Sequence, residues 1–142
     1  MSSEVRDYRP TDEAAVREVY CASWHFLAHE VLKLKGERFD PLVAPLRPSV
    51  VATIEGEVVG FCEVQDSLLH RIYVHPDVLG RGVGALLLSR AVELGARHLW
   101  VDEGNHMGRD FYEAQGWTWD GLMVPGSNWP EYGMLRYSLL VG

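Results

Sequence analysis

A chain of 142 residues and 16.0 kDa, 47% hydrophobic and 11% aromatic, has the length of one domain, spanning 1–142, and enough apolar content to bury a sizeable core. Its 13 Lys and Arg against 20 Asp and Glu leave a net charge of −7, which argues against nucleic acid as a partner and suits either plain solubility or the steering of a cationic amine. No segment approaches the ~20 apolar residues that span a membrane. No apolar run follows Met1, and neither cysteine, Cys21 nor Cys62, has metal-ligand spacing, so a soluble cytoplasmic protein with reduced thiols is expected.

Val5 to Arg9 reads as a short strand ended by Pro10, with Thr11 or Asp12 capping the helix that follows. Ala15, Val16, Val19, Tyr20, Trp24, Leu27 and Val31 keep helical spacing along it. His25 and His29 lie one turn apart on that helix, but no third ligand is evident and no metal is expected. Residues 32–48 hold three prolines and mixed charge, which suggests a second short helix or an irregular lid. Val50–Ile54 and Val58–Val64 are predicted strands joined by a turn at Glu55–Glu57, and Gln65-Asp66-Ser67 turns the chain into a third, Leu68–Val74.

A helix from Val83 to near Gly95 and a strand over His98–Val101 complete a strand, crossover helix and strand, which favours a local parallel pair. A further helix from about His106 to Gln115 is stopped by Gly116. Trp117–Val124 and Glu131–Leu140 are expected to form a closing hairpin. The class is α+β: a mixed, mostly antiparallel, twisted sheet of six to seven strands with about four helices on both faces.

The most telling stretch is Ile72 to Ala85. An apolar strand ends at Pro76, a polar turn follows, and Gly80, Gly82 and Gly84 alternate with Arg81 and Val83 before Leu86-Leu87-Leu88 continues a helix. Glycine admits a ligand close to the backbone. A helix start offers unpaired N–H groups, so the segment reads as a phosphate or pyrophosphate cradle with Arg81 adding charge. A Walker A loop is excluded because no Lys follows the glycines. The dinucleotide fingerprint is matched on paper by Gly80–Ala85 with Asp102 about 20 residues on. It should follow its strand at once, however, and Pro76–Leu79 intervene after segments that look like hairpins.

A second segment, Asn105 to Trp117, completes the pattern. With Val74-x-Pro76 and Gly82-x-Gly84, the order Asn105, Phe111-Tyr112 and Gly116-Trp117 resembles the GNAT superfamily of acyl-CoA-dependent N-acyltransferases, over nearly the whole chain. The resemblance implies a GNAT-like fold and an N-acetyltransferase that moves an acetyl group from acetyl-CoA, as acyl-donor co-substrate, to a primary amine of a small molecule or a peptide, by direct attack and without a metal. It also implies strands at Leu68–Val74 and His98–Val101 that splay apart. Ile72 and Val74 would then bond the pantetheine arm like an added strand. Leu79, Gly80, Arg81, Gly82, Val83, Gly84 and Ala85 would take the pyrophosphate, and Asn105 would hold the arm from the other side.

Tyr112 resembles the general acid that returns a proton to the leaving thiolate. Relatives often carry a glutamate where Leu68 stands here, so the base stays open among His70, two residues on and expected on the same side of the strand, Glu63 on the preceding strand, and ordered water. Leu79 replaces the family's Gln or Arg. The amine would be chosen by Trp24, Phe26, Trp129 and Tyr132 as an aromatic wall, with Glu30 or Glu131 attracting charge. Dimers are common among such proteins, and an exposed aromatic hairpin would favour one. Leu68 also leaves room for a reading from another class, a catalytically weakened acyl-CoA-binding sensor or interaction module.

Overall fold

The computed structural model describes residues 2–34, 44–126 and 132–140. Strand β1 (Ser3–Asp7) leads through a short 3-10 turn into α1 (Glu13–His25), which widens into a π-helical segment over Phe26–Val31. Then come β2 (Val50–Ile54), β3 (Glu57–Gln65), β4 (Leu68–Val74), α2 (Val83–Glu93), β5 (His98–Asp102), α3 (His106–Ala114), β6 (Thr118–Pro125) and β7 (Gly133–Ser138). The strands form one sheet in the order β1-β2-β3-β4-β5-β7-β6. All pairings are antiparallel except β4 with β5. The first strand starts and ends two residues earlier than its sequence suggests. The described residues hold three α-helices rather than four, since most of the expected second helix falls in residues 35–43, outside the described residues.

Both faces of the sheet's first half are covered, and the two-residue period of β2 shows it. Val50, Ala52 and Ile54 join a core with Cys62, Leu87, Leu99 and Trp117, while Val51 joins Phe61, Val16, Tyr20 and Trp24 under α1. Cys62 is fully buried, and burial pushes its thiol up to about 12, so it is no nucleophile. Glycine at position 60 is required by packing. A Cβ there would stand 2.9 Å from both Leu87 Cδ1 and the Tyr73 carbonyl oxygen.

Asp12 does not cap α1 with its side chain. Its carboxylate turns back, accepting from both Arg6 guanidinium nitrogens at 2.8 Å and from the Arg9 N–H at 2.9 Å. The Arg6 bonds, working against the cost of burial, lower its pKa to about 2 from the ordinary 3.8. A depressed carboxylate stabilises the fold fully above the unfolded value and loses that contribution as pH falls through the folded one. Asp12→Asn should therefore cost about 1–2 kcal/mol at pH 6, allowing for the solvent that reaches Arg6. Urea midpoints of the two proteins should converge between pH 4 and 2.

Candidate active site

The site begins where the sheet fails to close. Strands β4 and β5 pair only through Leu68↔His98 and Leu69↔Leu99. Past that point β4 keeps its β3 partners (Arg71↔Glu63, Ile72↔Cys62, Tyr73↔Phe61, Val74↔Gly60), and β5 keeps β7, so a gap opens between them. The β3–β4 register skips a residue: Val64 faces Leu69 and Glu63 faces Arg71, which leaves His70 as the extra residue of a β-bulge. Strict alternation thus does not hold across Leu68 and His70, although both line the same cavity.

Two cavities meet in the gap. One, of about 540 Å³, is walled by Tyr20 and Trp24 of α1, by β4, and by β5 out to Asp102. The other, of about 470 Å³, runs from Ser23 and Val31 past Val74 to the Gly80–Ala85 loop. Leu27, Ile72, Tyr73, Asn105 and Tyr112 line both and mark the join.

The second cavity ends against a glycine-rich helix start. Gly80 and Gly82 have φ of 82° and 83°, which only glycine adopts at ease, and a Cβ on either would meet nothing within 4 Å. Gly84 serves a different end, since its missing Cβ lets α2 approach Phe111 of α3, whose Cζ would be 3.2 Å away. The first intrahelical bond of α2 runs from the Leu86 N–H to the Gly82 carbonyl at 3.2 Å. No backbone acceptor among the described residues is taken by the N–H groups of Gly80 and of Gly82 through Ala85, the kind of donor set that an anion at a helix start requires. Arg81 is exposed and stands outside the lining of either cavity, whereas Leu79, half-exposed at 42%, lies at the mouth.

The open edge of β4 is also set. The His75 N–H bonds the Val59 carbonyl at 2.8 Å, so the Val74 carbonyl, at the other end of that peptide unit, points away from β3. There the Ser23 hydroxyl donates to it at 3.0 Å. Ser23 belongs to no motif, and nothing in its sequence neighbourhood points to this contact.

Asn105 does two things. Its Oδ1 accepts the Gly108 N–H at 2.9 Å and so caps α3, and it lines both cavities. Tyr112, near the end of α3, packs against Phe111 and Tyr137 with ring centroids 5.4 and 6.3 Å away. Burial raises the pKa of its hydroxyl well above the ordinary 10. It is a neutral phenol facing the join. Tyr137 holds the helix that carries it, since its hydroxyl donates to Glu113 at 2.5 Å and accepts from Arg109 Nε at 3.1 Å.

The remaining sequence candidates separate. His70 lines the first cavity from an exposed position, and partial burial, with the charge of Arg71, lowers its pKa. Glu63 is 1% exposed and does not line either cavity. One of its oxygens accepts the Arg47 N–H at 2.6 Å and the other pairs with Arg71 at 2.8 Å. Trp24 is buried at 4% and lines the first cavity. Glu30 is exposed and lines neither. Tyr132 lines neither as well: it covers Gly104, where a Cβ would collide with its ring, and donates to the Leu32 carbonyl at 3.2 Å. Trp129 and Glu131 lie outside the described residues. Asp102, singled out in sequence only as a ribose-type acid, is buried at 8% and lines the first cavity. Among the described residues no group of three His, Cys, Asp or Glu is placed to hold a metal, and no helix is long and apolar enough to cross a membrane.

Residues 46–118 match the family model of the acetyltransferase (GNAT) domain. A protein of Archaeoglobus fulgidus described as an uncharacterized N-acetyltransferase is 31% identical over 46% of this chain and 56% of its own, so the chain spans about half the length of that curated relative. The fold matches apo YjaB from Escherichia coli over 100% of both chains, with a TM-score of 0.74 at 23% identity. It also matches the PaiA N-acetyltransferase of Thermoplasma acidophilum in complex with coenzyme A, over 97% and 99% of the two chains, with a TM-score of 0.71 at 17% identity. A third likeness is to YncA of Salmonella typhimurium, solved with its cofactor acetyl-CoA (98% and 94%, TM-score 0.69, 20% identity). At these identities the structural likeness speaks for the fold.

Proposed function

Because the chain belongs to the GNAT family of acetyltransferase domains, we propose that it transfers an acetyl group from acetyl-CoA directly to a primary amine. One observation carries the reading. The N–H groups of Gly80 and Gly82–Ala85, the open β4 edge and the Tyr112 phenol line two cavities that share Ile72 and Tyr73. The residues fit the donor: a run of N–H groups at a helix start suits a pyrophosphate, and a strand edge with no neighbouring strand beyond Leu69 suits an amide-bearing arm, the Val74 carbonyl there also accepting from Ser23.

Acetyl-CoA, when bound, would supply an activated acyl carbon as its thioester. Gly80, Gly82, Val83, Gly84 and Ala85 hold its phosphates, Ile72 and Val74 align its arm, and Asn105 offers its remaining amide donor from α3. A backbone N–H near Val74 meets the charge that develops on the acyl oxygen. An amine of pKa about 10.4 costs roughly 4.6 kcal/mol to deprotonate at pH 7. His70, directly or through water, takes that proton as the new C–N bond forms. Tyr112 donates toward the sulfur as the C–S bond breaks. Glu63, closed in its ion pair, is left out of this scheme.

The test is calorimetric titration with acetyl-CoA, with CoA and NAD as controls. The wild type should bind acetyl-CoA saturably. Asn105→Asp keeps an acceptor for the Gly108 N–H but has no donor, and should weaken binding about 10-fold at unchanged stability. Asn105→Ala should weaken it as much and also lose about 1 kcal/mol of stability. Absence of acetyl-CoA binding would withdraw the reading. Binding without turnover of any amine would favour the sensor or interaction module for which Leu68 leaves room.

A further inference from the structure

Ser23 breaks the apolar stripe of α1. The buried residues of that helix are Val16, Val19, Tyr20, Ser23 and Trp24, and at 7% exposure Ser23 is the one among them that is neither aliphatic nor aromatic. A hydroxyl in the interior of a helix commonly has an acceptor one turn back, here the Val19 carbonyl, reached by rotation about the Cα–Cβ bond. Ser23 donates instead to the Val74 carbonyl at 3.0 Å, from within the lining of the second cavity. That carbonyl points away from β3, into the gap beyond the last β4–β5 pairing at Leu69↔Leu99. Val74 ends β4, so this is the last acceptor that the strand turns to the gap. The nitrogen of an N–H donor sits about 2.9–3.0 Å from the oxygen it binds. Ser23 Oγ therefore stands at the distance, and on the side, where an amide of a strand-like arm would donate.

Resting on the acetyltransferase reading, we propose that Ser23 stands in for the donor's amide while the site is empty. Its hydroxyl pairs the Val74 carbonyl until the pantetheine arm arrives, then turns back to the Val19 carbonyl as an N–H of the arm takes its place. The exchange sets the affinity for the donor and works in both directions. Binding must first undo a hydrogen bond that the empty site already has, and after transfer the same hydroxyl re-forms it and speeds the release of CoA. No atom of Ser23 takes part in the acyl transfer itself. It acts through the Val74 carbonyl and is a positioning residue.

The experiment is calorimetric titration of the full chain and of Ser23→Ala with acetyl-CoA and with adenosine 3′-phosphate 5′-diphosphate, which is CoA without its arm. Alanine is the strongest helix former, so α1 should stand. In the variant only water meets the Val74 carbonyl of the empty site, and acetyl-CoA should bind about 5–10-fold more tightly. The arm-free nucleotide should show no difference between the two chains. Stopped-flow displacement should show the release of CoA slowed by a similar factor. A merely structural serine would give the opposite sign, since a loosened site binds more weakly. Equal or weaker binding of acetyl-CoA by Ser23→Ala, or an equal gain for the arm-free nucleotide, would overturn the proposal. Failure of the unaltered chain to bind acetyl-CoA would bring down the acetyltransferase reading itself.

Discussion

Tyr112→Phe should lower kcat by about 10²–10³-fold and leave the affinity for acetyl-CoA unchanged, the largest functional effect expected of any single-atom change in this chain. The ring stays, so packing against Phe111 and Tyr137 is kept. Stability should therefore move little, which separates a chemical role from a structural one. Burial raises the phenol's pKa above 10, so it keeps its proton across the neutral range and the alkaline limb of the rate should not descend below pH 10 on its account. A thiol of pKa about 8.5 is a stronger acid than such a phenol. The proton is then shared with the departing sulfur rather than handed over at a distance, and the bond matters most in the transition state. Rapid-quench turnover with saturating acetyl-CoA, beside calorimetry on the same preparation, measures both quantities.

Glu63→Ala should unfold the protein more readily by about 3–5 kcal/mol. The substitution strands the Arg47 N–H, which loses its acceptor at 2.6 Å, and takes from the Arg71 guanidinium its carboxylate at 2.8 Å, leaving it the Pro45 carbonyl at 3.3 Å, in a site where Glu63 is 1% exposed. Burial alone would lower the Arg71 pKa, yet the charge of Glu63 and its hydrogen bond hold it above the ordinary value. Glu63→Gln retains an acceptor and should cost less than half as much. Urea denaturation of the three proteins, alongside their turnover at a temperature where each is folded, reads the outcome. A Gln variant of normal stability with no turnover would restore Glu63 as the proton acceptor.

Local signals carry far in this chain. Val74, Pro76 and the three alternating glycines mark the strand end and the loop, and Asn105 to Gly116 mark a capped helix, because turn and cap chemistry is written in adjacent residues. What stays hidden depends on distance across the sheet. An inserted residue in a strand looks like any other, so the bulge at His70 is invisible in sequence, although His70 and Leu68 line one cavity as alternation suggests. Glu63 looks available in sequence because its partner, Arg71, is brought opposite it only by the register of β3 on β4. Ser23 lies in the interior of a helix whose signal is its apolar spacing, and its target is the Val74 carbonyl 51 positions on. Asp102 fits the spacing of a cofactor that the loop geometry does not favour, and its place in an aromatic cavity follows from where β5 leaves β4. Glu30 and Tyr132 suit the acceptor only by analogy of position. One faces out, and the other ties the start of β7 to the end of the first helical segment through the Leu32 carbonyl.

A sheet joined at its middle by only Leu68↔His98 and Leu69↔Leu99 is mechanically two plates with a short weld. Beyond that weld no strand pairing among the described residues joins the plate of β1 to β4 to the plate of β5, β7 and β6, although the side chains of one core span both. The Ile72 and Val74 amides, which face the gap without a strand partner, should exchange with no unfolding of either ladder. A molecule that bridges the gap lengthens the weld, so the affinity it shows in solution already includes the work of stiffening the protein around it.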